Sequence, residues 1–149
     1  MAEITVRDLR ASDEAVWRGM WRDYLAFYET TRPEAIYAET FRRLLGDDPR
    51  DFKGLIAEVD GRPLGLAHYV FHRHGWQVED TCYLQDLYTA PQARGLGAGR
   101  ALIEAVYAAA DAHGARGVYW LTQQGNATAR QLYDRVGRQT DFIRYQRPA

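Results

Sequence analysis

The chain has 149 residues and a formal net charge of −1, from 19 basic and 20 acidic side chains. This length fits a single domain over residues 1–149, and the balanced charge argues against binding to nucleic acid or to an anionic membrane. The lone Cys82 excludes an intramolecular disulfide, the first residues lack the features of a signal peptide, and no apolar run is long enough to span a membrane. We therefore expect a cytoplasmic protein.

The first third of the chain predicts a short strand and two helices. Residues 4–9 alternate between apolar and polar side chains, which is typical of a strand. Ser12 is a candidate N-cap for a helix that runs to about Tyr28. A second helix is predicted to begin near Pro33, a residue suited to a first helical turn, and to end before Gly46.

The middle of the chain predicts antiparallel strands. Residues 55–59 and 64–71 are mostly apolar and flank the turn pair Asp60-Gly61, which is typical of a β-hairpin. A longer alternating segment follows at residues 81–89 and predicts the central strand.

The last third alternates helices and strands. Apolar residues at helical spacing predict one helix over about 97–113 and another over 126–135. Strands are predicted at 117–121 and 141–146. Together with the preceding hairpin, this order predicts an α/β fold of the α+β sandwich type, in which a mixed, mostly antiparallel sheet is flanked by helices.

A glycine-rich run, Gln92 to Arg100, joins the central strand to the third helix. Glycines remove side chains at this turn, so backbone N–H groups and the positive end of the helix dipole are able to converge on an anion. The run predicts a cradle for the phosphates of a cofactor. An alternative is that the small residues only pack the helix tightly against the sheet.

Two other phosphate-binding motifs fit poorly. A Walker loop needs a lysine directly after its last glycine, and the only lysine of this chain is the distant Lys53. The dinucleotide fingerprint needs a third glycine, where this chain has Arg100, and an acidic residue at the end of the next strand, which residues 117–124 lack. These departures argue against a dinucleotide-binding domain.

The same residues resemble the GNAT superfamily of N-acetyltransferases. The cofactor loop of that superfamily reads Arg/Gln-x-x-Gly-x-Gly/Ala, which Arg94, Gly97 and Gly99 match, and its last helix has an Asn...Ala...Leu-Tyr pattern that is found here from Asn126 to Tyr133. The resemblance covers nearly the whole chain and implies the GNAT fold, splayed at the central strand, with acetyl-CoA as cofactor. The phrases Tyr-Leu-x-Asp-Leu-Tyr and Trp-Leu-Thr-Gln-x-x-Asn are similar to the branch that contains polyamine, histone and small-amine acetyltransferases.

The resemblance also implies residue roles. Tyr133 would donate a proton to the departing thiolate, Asn126 would hold the cofactor side of the last helix, and Tyr28 and Glu29 would bind the acceptor. No metal is required. The residues implied to bind acetyl-CoA, along the central strand and the glycine-rich run, are Leu87, Tyr88, Thr89, Arg94, Gly95, Leu96, Gly97, Ala98, Gly99 and Arg100.

One departure concerns the general base. Polyamine enzymes of this type often carry Glu at the position of Gln85, and an amide cannot take a proton, so Gln85 is expected only to contact the acceptor. Removing the proton of a lysine-like amine of pKa about 10.4 at pH 7 costs about 4.6 kcal/mol, so another group must help. Asp86 is the first candidate, provided that a bulge turns it from the opposite face of the strand. Glu29, Glu79 or Asp80, acting through water, are the alternatives.

We therefore expect an N-acetyltransferase that moves the acetyl group of acetyl-CoA to a primary amine by direct attack in a ternary complex. The acceptor stays open among polyamines, amino acids, other small amines, and protein lysines or N-termini. A catalytically silent acyl-CoA-binding module is the alternative, and Gln85 is its main support. An aromatic stripe predicts a core or a subunit contact on the first helix; it comprises Trp17, Trp21, Tyr24 and Tyr28. With the apolar segment Phe142 to Tyr145, this stripe predicts a homodimer.

Overall fold

The computed structural model describes residues 1–149. It contains five strands and four α-helices. In chain order they are β1 (Ile4–Asp8), α1 (Glu14–Phe27), α2 (Glu34–Leu44), β2 (Lys53–Val59), β3 (Arg62–His72), β4 (Thr81–Thr89), α3 (Ala98–His113), β5 (Val118–Tyr119) and α4 (Ala127–Val136). The predicted elements up to α4 are confirmed, with bounds that differ by a few residues.

The strands form one open, mixed sheet in the order β1-β2-β3-β4-β5. The first four strands are antiparallel neighbours, and β5 runs parallel to β4. The β2–β3 hairpin turns at Asp60 and Gly61, whose φ angles of +50° and +80° are typical of the tight turn that matches strand twist. The predicted mixed sheet, mostly antiparallel, is confirmed.

The helices cover opposite faces of this sheet. Trp17 of α1 contacts His68 of β3, whereas Phe71, three residues further along β3, stacks on His113 of α3. Side chains three residues apart in a strand point to opposite faces, so α1 and α3 lie on opposite sides. α4 lies on the α3 side, because its Leu132 reaches the backbone of Gly99.

The junction between β1 and α1 differs from the prediction at the helix cap. Ser12 does not cap the helix; it lies in a short 3-10 turn, Ala11–Asp13, that leads into α1. The buried Asp13 accepts two hydrogen bonds from the guanidinium of Arg7, at 2.8 and 2.9 Å, and one from the Arg10 N–H at 2.7 Å. A carboxylate that ties the strand to the helix start satisfies more donors than a serine hydroxyl could, which explains the difference.

The C-terminal third is far more exposed than the rest, and no residue after Ala110 is buried. The predicted strand at 117–121 contains only two strand residues, and the predicted strand at 141–146 does not form. A strand needs an extended neighbour for its hydrogen bonds, and the two residues of β5 offer too short an edge. Apolar side chains of the last segment are therefore exposed, with 81% of the surface of Phe142 and 89% of that of Tyr145 accessible.

No helix of the protein combines the length and the apolar character that crossing a membrane requires.

Candidate active site

The central feature of the site is a bulge in β4. Leu84 pairs with Tyr69 and Asp86 pairs with His68, so Gln85 is an extra residue that has no partner on β3. In a regular strand, the side chains of residues 84 and 86 would point to the same face of the sheet. Here Leu84 points to the face of its partner Tyr69, and Asp86 points to the opposite face, that of its partner His68. The bulge therefore turns Asp86 to the α1 face, which is the condition that the sequence left open.

Beyond the bulge, β4 separates from β5. The two strands pair only at Cys82 with Val118 and at Tyr83 with Tyr119. The backbone of residues 84–89 is left without a strand partner on that side, and the expected splay at the central strand is confirmed. Free N–H and C=O groups on a strand edge are suited to bind an extended, amide-containing chain.

A cleft of about 270 Å³, open to solvent, lies at this separation. It is lined from α1, from β4, and from the segment that contains β5 and α4. The side chains that line it include Tyr24, Tyr28, Gln85, Leu87, Trp120 and Tyr133. Since α1 and α4 cover opposite faces of the sheet, the cleft joins the two faces through the gap between β4 and β5.

The glycine-rich run leads into α3, as predicted. Gly95 and Gly97 have φ angles of +78° and +94°, a region that disfavours any residue with a Cβ. The first intrahelical bond is donated by the Ala101 N–H to the Gly97 carbonyl. The N–H groups that precede it and have no backbone acceptor are those of Gly95, Gly97, Ala98, Gly99 and Arg100. No side chain caps this helix end, so it fits an anionic group.

Different positions of the glycine-rich run require glycine for different physical reasons. A Cβ on Gly99 would lie 3.2 Å from Leu132 Cδ2, so Gly99 lets α4 pack closely on α3, as the packing alternative supposed. A Cβ on Gly97 would meet only Ile4 Cδ1, at 3.6 Å, so its positive φ angle is what requires glycine. The side chain of Arg100 pairs with Glu104 at 2.8 Å, which leaves its backbone N–H for an anion.

On the α1 face, Asp86 lies in a buried polar cluster. Only 7% of its surface is exposed. Its Oδ2 is 3.0 Å from Nδ1 of His68, and Nε2 of His68 accepts a hydrogen bond from the Trp17 indole N–H at 3.0 Å. Burial, and secondly the charge of Asp86, raise the pKa of the neighbouring Tyr24 hydroxyl, so Tyr24 stays protonated beside the carboxylate.

Comparison with known proteins agrees with this geometry. A family model described as "Acetyltransferase (GNAT) family" matches residues 14–137, which is most of the chain. The chain belongs to the GNAT acetyltransferase family. It is an acetyl-CoA-dependent N-acetyltransferase that acts on an amine.

Two relatives have similar sequences over nearly their whole length. The D-amino-acid N-acetyltransferase HPA3 of Saccharomyces cerevisiae is 37% identical over 145 residues, which cover 97% of this chain and 90% of the yeast protein. The uncharacterized N-acetyltransferase YhfO of Bacillus subtilis is 28% identical over 144 residues, which cover 95% of each chain.

Solved structures share the fold at lower identity. The aminoglycoside N-acetyltransferase AAC(6')-Iy in complex with CoA superposes with a TM-score of 0.81 at 19% identity, over 99% of this chain and 96% of that one. A transcriptional regulator from Bacillus halodurans C-125 superposes with a TM-score of 0.85 at 18% identity, over 99% and 100% of the two chains.

On the α3–α4 side of the cleft, Tyr133 of α4 carries a hydroxyl that is able to donate a proton. Burial, with a smaller contribution from Tyr28, raises the pKa of its hydroxyl to about 12. Its ring contacts Trp120 edge-on, with 5.5 Å between ring centroids, and a Cβ on Gly137 would lie 2.8 Å from Trp120 Cη2. Trp120 therefore packs against Tyr133 and the C-terminal end of α4. This contact was not predicted from the sequence, because no pattern links residue 120 to residue 133.

The remaining predicted residues are distributed around the cleft. Tyr28 lines it, and Glu29 follows directly with a φ angle of +57° at the end of α1. Tyr88 and Thr89 continue the unpaired edge of β4, and Asn126 lies at the start of α4 with its amide donating to Thr122 Oγ1 at 3.4 Å.

The other proposed bases lie elsewhere. Asp80 accepts a hydrogen bond from His113 Nε2, at 2.9 Å, and precedes the first residue of β4. At about 3.3 Å per residue, Asp80 and its neighbour Glu79 are roughly 17 Å or more from Gln85 along the strand. Asp86 is therefore the buried carboxylate nearest the cleft.

Proposed function

We propose that the protein acetylates the amino group of a free amino acid or a similarly small amine, with Asp86 as the general base and Tyr133 as the general acid. The observation that carries this proposal is the bulge at Gln85. It turns a buried carboxylate to the α1 face and leaves a neutral amide in the cleft between the two faces.

The acceptor amine approaches from the α1 face in this proposal. The ammonium group of a free amino acid is mostly protonated at pH 7, and loss of that proton costs about 1.4 kcal/mol for each unit by which its pKa exceeds 7. Asp86 is bonded to His68 through Oδ2, and its Oδ1, beside the Tyr24 hydroxyl, would accept the proton of the amine, directly or through one water. The buried surroundings strengthen the attraction between this carboxylate and a cationic amine.

The cofactor binds on the α3–α4 face, where the N–H groups of residues 95 and 97–100, which have no backbone acceptor, would hold its pyrophosphate. The free edge of residues 87–89 would bind its amide-containing arm. Acetyl-CoA supplies an activated acetyl thioester next to the gap in the sheet. Tyr133 keeps its proton at neutral pH because burial disfavours the phenolate, so its hydroxyl is able to protonate the leaving sulfur.

The neutral side chain of Gln85 favours a zwitterionic acceptor over a polycation. A glutamate at this position would attract an extended polyamine and repel the carboxylate of an amino acid. The amide of Gln85 donates to a carboxylate without that repulsion. The small aromatic cleft and the name of the yeast relative, a D-amino-acid N-acetyltransferase, support the same acceptor class.

The test is a panel of acceptors assayed by release of free CoA thiol. We expect D- and L-amino acids to be acetylated with higher kcat/KM than spermidine, spermine or lysine-containing peptides. Gln85→Glu should narrow or reverse that preference without weakening acetyl-CoA binding. A wild-type enzyme that prefers polyamines, with Gln85→Glu unchanged in preference, would contradict the acceptor assignment.

We also propose that the enzyme is a homodimer formed through its last residues. The exposed side chains of Phe142, Ile143 and Tyr145 follow a sheet whose last strand has only two residues, so an identical partner would cover apolar surface on both chains. Light scattering at micromolar concentration should give twice 17.1 kDa for the full chain and 17.1 kDa or less for a chain that ends at residue 140. A monomeric full chain would contradict it. The cytoplasmic location also stays a prediction from the sequence.

A further inference from the structure

The hydrogen bonds around His68 have only one consistent direction. An indole N–H is a donor and never an acceptor, so Nε2 of His68 must accept from Trp17 across their 3.0 Å contact. A neutral imidazole then carries its single proton on Nδ1. That nitrogen is 3.0 Å from Oδ2 of Asp86, so His68 donates to the carboxylate.

The lone pair of His68 Nε2 is occupied by the hydrogen bond from Trp17. A proton on Nε2 would face the Trp17 N–H at hydrogen-bond distance and would break their bond. Both rings are buried, Trp17 completely and His68 to 98%, so no water is at hand to replace the lost acceptor. The imidazole therefore acts as a fixed dipole beside Asp86.

The surrounding rings hold the imidazole in place. The ring centroid of Trp21 is 5.0 Å from that of His68, and that of Trp17 is 6.0 Å away. Phe41 of α2 packs on Trp17 from the other side, with 5.1 Å between centroids. A ring flip of His68 would need these contacts to open, so the orientation of the Nδ1–H group is set by packing as well as by its bonds.

We infer that Trp17 and His68 are positioning residues that hold Asp86 as a carboxylate, with Oδ2 occupied and Oδ1 left for the acceptor amine. The inference rests on the proposed function of Asp86 as base. The order is the reverse of a Ser-His-Asp triad, in which the carboxylate orients the histidine that moves the proton. Here a neutral histidine orients the carboxylate that moves it, and α1 reaches the reacting group through Trp17.

The other titratable groups that face Asp86 are Tyr24 from α1 and Tyr83 from β4. The negative charge of Asp86 raises the pKa of each, after burial. Both are hydroxyl donors at neutral pH, so neither competes with Asp86 for the proton of the acceptor. Any new acid ionisation that appears in a variant of Trp17 is then assigned to His68.

NMR tests the direction of these bonds without any turnover. Two-bond ¹H–¹⁵N spectra of histidine-labelled protein at neutral pH should give the His68 ring a protonated Nδ1 and a bare Nε2. The exposed rings of His72 and His74 are internal references for histidines that lie outside the core. An Nε2–H tautomer, or an imidazolium at neutral pH, would overturn the inference.

Kinetics test the positioning role. His68→Leu removes both bonds and should lower kcat/KM for the acceptor about 10- to 100-fold with acetyl-CoA affinity kept. His68→Gln carries a donor and an acceptor at a similar separation and should retain activity within about threefold. Equal losses in the two variants would overturn the inference.

A milder variant covers the case in which His68→Leu does not fold. Trp17→Phe keeps the aromatic packing and leaves Nε2 of His68 without its donor, so the pH profile of kcat/KM for the acceptor should change its shape on the acid side. An unchanged profile would overturn the inference. An active Asp86→Asn enzyme would instead remove the base itself, and the NMR result distinguishes that failure from this one.

Discussion

The two faces of β4 build their halves of the site by different means. On the α1 face, the site is formed by side chains, because Trp17, His68 and Asp86 are joined by a buried chain of hydrogen bonds. On the α3–α4 face, the site is formed by the backbone, which has positive φ angles at Gly95 and Gly97 and N–H groups without acceptors. A buried carboxylate must be held by specific partners, whereas a phosphate needs only converging N–H groups. Variants on the two faces should therefore affect different kinetic constants.

The largest effect is expected for Asp86→Asn. Asparagine accepts the His68 hydrogen bond but takes no proton, so the fold should be retained while kcat/KM for the acceptor at neutral pH falls about 10³- to 10⁴-fold. The acid limb of the rate profile should disappear. Titration calorimetry should show unchanged acetyl-CoA affinity.

Asp80→Asn is the matched control at the far end of the same strand, where the carboxylate pairs with His113. It should leave the acceptor kinetics unchanged. Equal losses in both variants would mean that the effect comes from the strand and not from the base.

The next largest effect is expected for Tyr133→Phe. The loss of one hydroxyl should lower kcat about 10²-fold, less than for Asp86→Asn, because a thiolate leaves more readily than an amine loses its proton. Since burial raises the pKa of Tyr133 to about 12, the wild-type hydroxyl stays protonated through mildly alkaline pH. Its ionisation should therefore cause no fall in kcat between roughly pH 8 and roughly pH 10.

The control for this variant is Tyr107→Phe. The hydroxyl of Tyr107 donates to the Val136 carbonyl at 2.6 Å on the same side of the sheet, so its loss should reduce stability and leave kcat intact. Normal turnover in Tyr133→Phe would remove that residue from the mechanism.

Gly97→Glu should affect only the cofactor. It adds a Cβ at a φ angle of +94° and a carboxylate where the pyrophosphate would bind, so acetyl-CoA affinity should fall tenfold or more. Gly114→Glu makes the same change at a φ angle of +79° at the other end of α3, and should destabilise the fold similarly while acetyl-CoA binding is kept. Calorimetry that gives the two variants equal affinity would contradict the cradle.

The smallest effect is expected on the free energy of unfolding, for a variant of Asp13 at the start of α1. Hydrogen bonds from Arg7 lower the pKa of Asp13, so this carboxylate stabilises the fold above its unfolded value of about 3.9, and the contribution is lost as the pH falls through the lower folded value. Asp13→Asn should cost about 1 to 3 kcal/mol at pH 7 and flatten the acid dependence of urea unfolding. Asp47→Asn, at an exposed carboxylate that forms no ion pair, should change neither. Identical curves for both variants would contradict the role of Asp13.

The sequence predicts the cofactor face better than the acceptor face for a physical reason. Glycine positions and the start of α3 are local features, and the run from Gln92 to Arg100 contains all of them. Asp86 reaches the α1 face only through a bulge opposite His68, 18 residues away, and its contact with Trp17 on another element runs through His68. The first-helix stripe predicted a core or a subunit contact, and Trp17 lies in the core. Periodicity does not show that its indole N–H has a partner.

At the C-terminal segment, by contrast, the sequence predicted a strand that does not form. Residues 141–146 have the composition of a strand, and local propensity alone predicted one. Propensity supplies no hydrogen-bonding neighbour, and β5 is too short to provide it. A strand depends on the edge that receives it, which the segment itself does not encode.

A crystal structure with a bisubstrate analogue, in which CoA is joined through sulfur to an acetylated amino acid, tests the central claim most directly. We predict that the pyrophosphate binds the N–H groups of residues 95 and 97–100 and that the sulfur lies within hydrogen-bond distance of the Tyr133 hydroxyl. We also predict that the amine nitrogen lies on the α1 face within one water of Asp86 Oδ1. The two halves would then meet through the gap between β4 and β5. An analogue whose amine lies on the α3–α4 face, away from Asp86, would contradict the account.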